Sequence, residues 1–389
     1  MSENITGAQI KVIGVGGGGT NMVNHMIKEG ISGIDMIVAN TDAQSLETSL
    51  SNKKIQLGSK KTRGLGAGMK PEVGEKSAEE SYDEIKEALD GADMVFIATG
   101  LGGGTGTGAA PVVAKAAREV GALTICIVTE PFMFEGRKRK KLAREGLKEL
   151  QNESDSLVVI QNDKLLSIVD KNLGYKESFK LVDNVLTRAV GGMSSVVLSC
   201  SESDINADFA DVKTIMSHKG MAILSVGEAV GDDAAVEAVR NAIESPLLDN
   251  LSINGAMGVL IHFNINPNFP LAQIQEAMQI IYDSADEDAD IIFSTTSNDK
   301  LAENEVKITI VATGFQSQNN NEDTLKVVNN TKETPTIEPK AEPTTTQTKT
   351  DNTQDLLSSL RKRLAGSNDY IIENANDLDI PTFLRRKMD

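Results

Sequence analysis

The chain has 389 residues, with 39 basic and 56 acidic side chains and a formal net charge of −17. This acidity argues against a general nucleic-acid-binding protein, which needs a basic face to release counterions from the phosphate backbone. The two cysteines, Cys126 and Cys200, are too few for a disulfide framework or a cysteine-based zinc site. The length predicts two domains and a tail.

The first part of the chain alternates short apolar runs with helical patterns. This alternation is typical of a sheet of parallel strands that is covered by helices on both faces. The predicted strands are Lys11–Val15, Met36–Ala39, Met94–Thr99, Leu123–Thr129 and Ser156–Ile160. Helices are predicted at Asn21–Lys28, after Asp42 and at Ala109–Glu119.

A long helix and a second α/β unit follow. Apolar residues at helical spacing predict one helix over Lys176–Cys200, although Gly191 and Gly192 interrupt the pattern. A short helical stretch, Phe209–Ser217, precedes the second unit. The predicted strands of that unit are Met221–Val226, Val259–Phe263, Ile291–Thr295 and Val306–Ala312. Its predicted helices, which alternate with the first three strands, are Asp233–Ile243 and Leu271–Tyr282.

The composition changes abruptly after Phe315. Residues Gln316–Thr353 contain almost no large apolar side chain, so they cannot offset the entropy cost of ordering and are predicted to be a disordered linker. Beyond the linker, Asp377–Arg386 is an apolar, proline-bearing motif that predicts a peptide ligand for another protein; the alternative is a few adhesive terminal residues. The basic amphipathic piece Leu356–Leu364 could touch an anionic membrane surface or be a transient helix without function.

No targeting or membrane-spanning segment is predicted. The start, Met1–Gln9, is polar, and no apolar run approaches the length that spans a bilayer. Both cysteines lie in apolar stretches, as expected of core residues in a reducing compartment. We therefore expect a cytoplasmic protein. The three histidines share no ligand pattern, and no metal site made of side chains is predicted.

Two glycine clusters carry the strongest signal in the sequence. The first, Gly14–Asn21, lies between the first predicted strand and helix, where glycine lets the backbone approach an anion and the helix offers unpaired N–H groups. Its GxGxxG match is a weak signal alone, and the plainer alternative is a tight turn, although four consecutive glycines exceed what a turn requires. The second cluster, Gly102–Gly108, has the same placement.

Together the clusters predict a polyphosphate ligand at the carboxyl ends of the strands. Neither cluster holds the lysine of the P-loop motif. The phosphate charge must therefore be neutralised by backbone dipoles, hydroxyl groups and a magnesium ion.

Four motifs together resemble one family. They are the GGGTGTG sequence at Gly102–Gly108, the glycines Gly16–Gly19, the Asn-Thr-Asp sequence at Asn40–Asp42 and the Asn-Ala-Asp-Phe-Ala-Asp sequence at Asn206–Asp211. They resemble the FtsZ family of bacterial cell-division GTPases in the tubulin superfamily. The resemblance runs from about Ile10 to Phe315 and resumes at Asp379–Leu384, which is similar to that family's adaptor-binding peptide.

The resemblance implies an α/β fold with a domain order. After an N-terminal extension (residues 1–9), a parallel-sheet GTP-binding domain would span residues 10–175 and a central helix residues 176–203. A second α/β domain that activates the GTPase would span residues 204–315. A disordered linker (316–370) and an adaptor-binding peptide (371–389) would complete the chain.

The resemblance also implies the nucleotide ligands. The phosphates of GTP or GDP, with Mg²⁺ bound through them, would be held by the two glycine clusters; Glu135 and Arg139 would lie on the ribose side, and Asp183 would accept two hydrogen bonds from guanine. The loop Gly66–Met69 would sense the γ-phosphate, although a plain flexible loop fits its residues equally well. The residues implied in the clusters are Gly17, Gly18, Gly19, Thr20, Asn21, Gly104, Thr105 and Gly106.

Three further polar residues, Asn206, Asp208 and Asp211, are implied to be catalytic. Carboxylates three residues apart can share a helix face and position a water for attack on a phosphoryl group. The residues alone fit helix capping and the helix dipole equally well. If Asp183 contacts the base, a helix continuing to Cys200 carries the chain about 26 Å further, so the acids would act on the nucleotide of a neighbouring subunit.

The implied protein is a GTPase that stacks head to tail into filaments of the division ring at mid-cell. Its terminal segment Asp379–Arg386 would bind membrane-tethering adaptors such as FtsA, so that its membrane contact is indirect, and no nucleic-acid partner is expected. Two alternative functions account for part of the sequence. A Rossmann-type oxidoreductase with Asp42 as its ribose acid does not account for the second glycine cluster or the terminal peptide. A GTP-binding scaffold without hydrolysis does not account for the three polar residues at 206–211.

Overall fold

The computed structural model describes residues 8–168, 174, 187, 190–194, 205, 207–218, 220–244 and 255–315. Within these residues, ten strands form a single sheet. They are β1 Ile10–Val15, β2 Asp35–Asn40, β3 Lys53–Gln56, β4 Met94–Gly100, β5 Leu123–Glu130, β6 Ser156–Gln161, β7 Gly220–Val230, β8 Gly258–Ile265, β9 Asp290–Ser297 and β10 Glu305–Phe315. Their order in the sheet is β3-β2-β1-β4-β5-β6-β7-β10-β8-β9.

Helices cover both faces of this sheet. They are α1 Gly16–Lys28, α2 Ala43–Glu47, α3 Ser59–Thr62, α4 Pro71–Glu80, α5 Tyr82–Leu89, α6 Thr105–Glu119, α7 Arg137–Glu153, α8 Asn162–Ile168, α9 Phe209–Met216, α10 Ala234–Ile243 and α11 Leu271–Ser284. A 3₁₀ turn lies at Met133–Glu135. Residues 187 and 190–194 are also helical. None of the helices in the described ranges is long and apolar enough to cross a membrane.

The sheet is parallel except for one strand. From β3 to β7 every neighbouring pair is parallel, and β8 and β9 are parallel to each other. Only β10 runs against its neighbours, β7 and β8, within this sheet. The sequence predicts two α/β units, and the structure joins them edge to edge, because Ser156 pairs with Gly220 and Val158 with Ala222.

Successive residues of each strand point to opposite faces of the sheet, so the strands contribute side chains to a core on each face. On one face, α4 to α7 pack over the first six strands around Val95 and Leu150. On the same face, α10 and α11 pack over the remaining strands around Ile261. On the opposite face, α1, residues 190–194 and α9 share one core that includes Met22 and Val212. The carboxyl ends of β1 and β4, which carry the glycine clusters, lie side by side.

The predicted strands and helices that fall within the described residues are confirmed in position, but several boundaries are wrong. Helix α1 begins at Gly16 rather than Asn21, and α6 at Thr105 rather than Ala109. Glycine has low helix propensity, so a propensity-based boundary falls after each cluster, whereas tight packing of the first turn demands glycine there. The sequence also missed β3, α3, α4, α5 and α8 and predicted no bounds for α7, although Pro71 at the start of α4 is a helix-start signal.

Several predictions lie outside the described residues. They concern most of the central helix, Asp183, Asn206, Cys200 and everything beyond Phe315, including Leu356–Leu364 and Asp379–Arg386. Cys126, in contrast, is fully buried on β5, as predicted. Burial raises the pKa of its thiol to about 12, so this cysteine stays protonated and unreactive at neutral pH.

Candidate functional site

The two glycine clusters meet at the carboxyl edge of the sheet. A Cβ built on Gly16 would lie 2.9 Å from the backbone nitrogen of Gly106, and one on Gly18 would lie 3.0 Å from that of Gly100. The hydroxyl of Thr99 donates to the carbonyl of Val15 at 3.0 Å, which ties the ends of β4 and β1 together. The structure therefore brings the two clusters into one cradle, as the sequence predicts.

The glycines in this cradle serve different purposes. A Cβ on Gly19 would collide with the carbonyl oxygen of Ala98, and a Cβ on Gly106 would collide with that of Gly100. These two glycines are required by backbone packing. Gly17 is exposed, and a Cβ there would meet no atom within 4 Å. Packing does not explain glycine at Gly17, which faces the open space where a ligand can approach the backbone.

Two helices direct their amino termini at this space. Helix α1 follows Val15 and helix α6 follows Gly104; neither has a side-chain capping hydrogen bond, and neither has an acidic residue in its first turn. The first N–H groups of a helix lack partners within the helix and carry the positive end of its dipole. Two such termini that converge on glycine-lined space form a binding site for an anion such as a phosphate.

Thr20 and Asn21 differ in how they are placed. The hydroxyl of Thr20 is buried and donates to the carbonyl of Gly16 at 2.8 Å, so this hydroxyl stabilises the first turn of α1 and is not directed at a ligand. Asn21 is exposed, and its side chain is available at the same helix end. In the second cluster, the hydroxyls of Thr105 and Thr41 lie 2.6 Å apart.

Thr41 also belongs to the site, although in the sequence it stands out only as part of the Asn-Thr-Asp motif at Asn40–Asp42. It is fully buried at the carboxyl end of β2. Its hydroxyl contacts Thr105, and its carbonyl accepts the N–H of Gly66 at 3.1 Å. Thr41 thus joins the second cluster to the loop that precedes α4. Its position just after a buried parallel strand was the signal that could have identified it.

The loop before α4 packs directly on the second cluster. A Cβ on Gly104 would lie 2.8 Å from the Cβ of Ala67 and 2.9 Å from the nitrogen of Lys70. Positive φ angles concentrate in this loop, including the non-glycine residue Met69 at 58°, a conformation that costs energy for a residue with a side chain. The structure thus places the predicted γ-phosphate loop, Gly66–Met69, against the cradle.

Glu135 and Arg139 form an ion pair beside the cradle. Oε2 of Glu135 lies 2.6 Å from Nη1 of Arg139, and Oε1 accepts the N–H of Phe132 at 3.0 Å. The backbone at Arg139 abuts the second cluster, since a Cβ on Gly102 would lie 2.8 Å from its carbonyl oxygen. A guanidinium has five N–H donors, so Arg139 keeps donors for a ligand while Glu135 holds its orientation.

Asp208 and Asp211 lie at the amino terminus of α9, and both are exposed. Asp208 occupies the N-cap position, with φ −66° and ψ 141°, yet its side chain makes no capping hydrogen bond. The capping alternative therefore does not describe how the Asp208 carboxylate is used. Asp211 lies in the first helical turn, so the two carboxylates are presented together to solvent.

These acids are remote from the cradle in the same chain. Ile205 exchanges two hydrogen bonds, both of 2.9 Å, with Thr295 on β9. Strand β9 lies six positions from β4 in the sheet, or about 29 Å at a spacing of about 4.8 Å per strand. Three residues of chain span at most about 10 Å, which leaves Asp208 on the order of 20 Å from the second cluster. The structure does not bring the acids and the glycine clusters together within one chain.

Two further observations limit the kinds of ligand that this site can bind. The carboxylate of Asp42 caps α2 by accepting the N–H of Gln44 at 3.0 Å, so it is engaged in a structural role rather than placed as the ribose acid of an oxidoreductase. Among the described residues, no group of three or more histidine, cysteine or acidic side chains could hold a metal ion. The cradle offers N–H and hydroxyl groups, which suit phosphate oxygens.

Comparisons with known proteins agree with this geometry. The GTPase-domain model of the Tubulin/FtsZ family matches residues 9–170, and the C-terminal-domain model of the FtsZ family matches residues 220–316. An empty FtsZ dimer from M. jannaschii is 46% identical, covers 81% of this chain and 90% of its own, and superposes with a TM-score of 0.76. A mutant FtsZ from the same organism is 44% identical over 80% of this chain and 92% of its own, with a TM-score of 0.75.

A more distant similarity shows the fold alone. CetZ2 from Haloferax volcanii, as a GTPγS-bound protofilament, is 21% identical over 79% of this chain and 94% of its own, with a TM-score of 0.68. The family matches cover both α/β units, and the first of them includes both glycine clusters; the acids of α9 lie between the two matched segments. These matches exclude the alternative that the chain is a Rossmann-type oxidoreductase. The chain therefore belongs to the FtsZ family of tubulin-like GTPases, and it is a GTPase that binds GTP and GDP.

Proposed function

We propose that this GTPase assembles head to tail into filaments of the cell-division ring at the septum, and that GTP is hydrolysed between adjacent subunits. The observation that carries the proposal is the separation of Asp208 and Asp211 from the phosphate cradle. Both carboxylates are exposed, and neither is within reach of the nucleotide of its own chain. A second subunit supplies the missing half of the site. The similar FtsZ from M. jannaschii is a dimer, which supports self-association.

The nucleotide lies with its phosphates between the amino termini of α1 and α6. Backbone N–H groups of both clusters bind the phosphate oxygens; Glu135 and Arg139 face the ribose side, and Asp183 recognises guanine. The cradle contains no lysine equivalent to that of a P-loop. Mg²⁺ fits here as an ion held by the phosphates rather than by a side-chain cluster, and when bound it offsets phosphate charge. The residues of the cradle are Gly17, Gly18, Gly19, Thr20, Asn21, Gly104, Thr105 and Gly106.

In the filament, α9 of one subunit faces the γ-phosphate held by the next. The carboxylates of Asp208 and Asp211 polarise and position the attacking water, and Asn206 orients it. Phosphoryl transfer depends mainly on positioning and on charge stabilisation. Hydrolysis therefore becomes fast only when two subunits meet, and loss of the γ-phosphate beside the Gly66–Met69 loop weakens that contact.

The test measures GTP turnover per molecule as protein concentration rises from nanomolar to micromolar. We expect a threshold, above which the rate per subunit increases steeply and the protein sediments with GTP but not with GDP. A rate per subunit that stays flat across this range would rule out a site shared between subunits. Because sedimentation and phosphate release are followed in the same sample, assembly and chemistry are compared directly.

The tail has a separate role in this proposal. Residues 316–370 act as a flexible linker, and Asp379–Arg386 binds the membrane-tethering division adaptors, such as FtsA, at mid-cell in the cytoplasm. Deletion of residues 379–386 should leave turnover and sedimentation unchanged and abolish binding to adaptor-coated vesicles. Loss of turnover on this deletion would contradict the division of roles between the folded units and the tail.

A further inference from the structure

Helix α7 carries an unusual charge distribution for a chain with a net charge of −17. Its buried face consists of Ala143, Gly146 and Leu150. The opposite, exposed face carries four basic residues at helical spacing, which we call the basic ridge: Arg137, Lys141, Arg144 and Lys148. One acidic residue, Glu145, lines the same groove. Like charges three and four residues apart weaken a helix, so folding alone does not favour this ridge.

Little within the chain neutralises the ridge. Lys141 has Glu145 at 3.8 Å, and both side chains are largely exposed, so water screens that pair. Among the described residues, Arg137, Arg144 and Lys148 have no carboxylate within ion-pair distance. The ridge lines a shallow groove of about 400 Å³. A surface of this kind is complementary to a line of carboxylates on another molecule.

Such a line lies beside the carboxyl end of the same helix. A cleft of about 560 Å³ opens between α4, α6 and α7, and we call it the acidic cleft. Four glutamates line it, Glu75, Glu79, Glu149 and Glu153, with Lys115 as the basic residue on its wall. Burial, followed by the nearby charges of Glu75 and Glu145, raises the pKa of Glu149. The carboxylates of this cleft are therefore crowded, and a cation from outside would relieve their repulsion.

We propose that the basic ridge of one copy of this chain docks in the acidic cleft of a second copy, and that the second copy's ridge docks in the first copy's cleft. The ridge starts at the amino end of α7 and the cleft lies at its carboxyl end, so two antiparallel copies of α7 satisfy both contacts around a two-fold axis. Such an interface is isologous and closes on itself. It is distinct from the cradle and from α9.

The contact is small, so it is too weak to hold two free subunits together but can join two filaments in which it repeats. Helix α7 is about 26 Å long, so the buried area falls in the range of weak, transient interfaces. When subunits are linked head to tail, as in the proposed function on which this inference rests, the contact repeats along two filaments and gains avidity. Two filaments joined in this way run in opposite directions.

The test uses charge reversal on both surfaces. The ridge variant carries Lys141→Glu and Arg144→Glu, the cleft variant Glu79→Lys and Glu149→Lys, and a combined variant all four changes. A control, Lys28→Glu with Lys300→Glu, alters exposed residues on other elements and changes the net charge as much as the ridge variant does. Light scattering and electron microscopy at low salt with GTP measure filament pairing, and phosphate release is followed in parallel.

We expect wild type and control to form paired filaments that separate as salt is added. The ridge and cleft variants should scatter several-fold less light and form single filaments with unchanged GTP turnover. The combined variant should regain pairing, because its reversed charges are again complementary. Restoration distinguishes a direct contact from a general effect of net charge.

Other outcomes overturn the inference. Single filaments in the wild type at low salt would do so, as would a ridge variant that pairs like the control or a combined variant no better than its parents. If the ridge variant pairs normally but loses binding to phosphatidylglycerol vesicles, the ridge serves a membrane surface instead. Absence of any wild-type filaments, with turnover flat in concentration, would overturn the proposed function itself.

Discussion

At the scale of single residues, some glycines of the cradle are required by packing, whereas others leave the backbone open to a ligand. Gly17 and Gly19 are two residues apart in the first turn of α1. A Cβ on Gly19 would overlap the Ala98 carbonyl, whereas a Cβ on Gly17 would meet nothing. The sequence presents them as equivalent members of one run. Only the neighbouring strand end separates a structural glycine from one that is free to serve a ligand.

Alanine at these two positions should therefore have opposite effects. Gly19→Ala should lower the free energy of unfolding by about 1–3 kcal/mol, since the collision is with backbone that cannot move aside easily. Gly17→Ala should leave stability unchanged or raise it by up to about 1 kcal/mol, because alanine is the better helix former, yet weaken GTP binding. Urea denaturation and nucleotide titration of both variants check this. A Gly17→Ala protein with wild-type GTP affinity would show that the ligand does not approach that backbone.

Glu149 gives a prediction for the pH dependence of stability. Its pKa is raised in the folded protein, so the native state binds this proton more tightly than the unfolded chain does. Its contribution to stability is therefore lost as pH rises through the carboxyl range. Glu149→Gln should stabilise the protein at pH 8 by about 0.2–0.5 kcal/mol, the usual size of a like-charge pair on a helix, and the gain should shrink as the pH falls into the range where carboxyl groups take up protons. Urea denaturation across this range measures the effect; a gain that grows at lower pH would contradict it.

At the scale of elements, the structure shows how glycine is accommodated at Gly191 and Gly192, which interrupt the helical pattern in the sequence but lie within the helical residues 190–194. A Cβ on Gly192 would lie 2.7 Å from the hydroxyl of Thr309 on β10, and one on Gly191 would lie 3.6 Å from the side chain of Ile31. Val190 and Met193 are buried in the core shared with α1 and α9. Gly192 lets this helix approach β10 closely, which no local pattern in the sequence reveals.

The close approach is testable by a double-mutant cycle. Gly192→Ala should cost about 1–3 kcal/mol of stability through overpacking against Thr309. Thr309→Ala removes two of the three obstructing atoms, Oγ1 and Cγ2, so the double variant should be more stable than the sum of the two single effects predicts. Denaturation of the four proteins gives the coupling energy. Additive effects would mean that the two residues do not contact each other.

At the scale of the whole molecule, a continuous sheet holds the cradle and α9 far apart. Strand β6 pairs with β7, so the two α/β units form one ten-stranded sheet within the described residues. The carboxyl ends of β1 and β4 carry the phosphate cradle, and Ile205 anchors the chain before α9 on β9. This separation is the basis for a site that is complete only between subunits.

Two inactive variants should restore each other in a shared site. Asp211→Ala keeps the cradle but lacks a carboxylate, and its turnover should fall about a hundredfold or more. Gly17→Asp keeps α9 but places a negative charge where the phosphates bind. In an equal mixture, one interface in about four joins an intact cradle to intact acids when subunits associate head to tail at random. Phosphate release from the mixture should reach that fraction of the wild-type rate; a mixture no faster than its components would contradict the shared site.

The sequence by itself determined the α/β class, the order of the strands and helices along the chain, the two clusters and the family. These are local or periodic properties, since burial alternates with secondary structure and glycine runs mark the ends of strands. It missed β3, α3, α4, α5 and α8. It also placed the starts of α1 and α6 too late, because glycine has low helix propensity whatever its neighbours are.

Tertiary structure alone decided which glycine is packed and which is open, that Thr41 joins two loops, and that Glu135 and Arg139 hold each other. It also set Asp208 and Asp211 far from the cradle and placed the acidic cleft between α4, α6 and the carboxyl end of α7. Each of these depends on atoms distant in sequence that the sheet brings together or keeps apart. Distances across strands are fixed by strand order, and strand order is not written in any single segment of the chain.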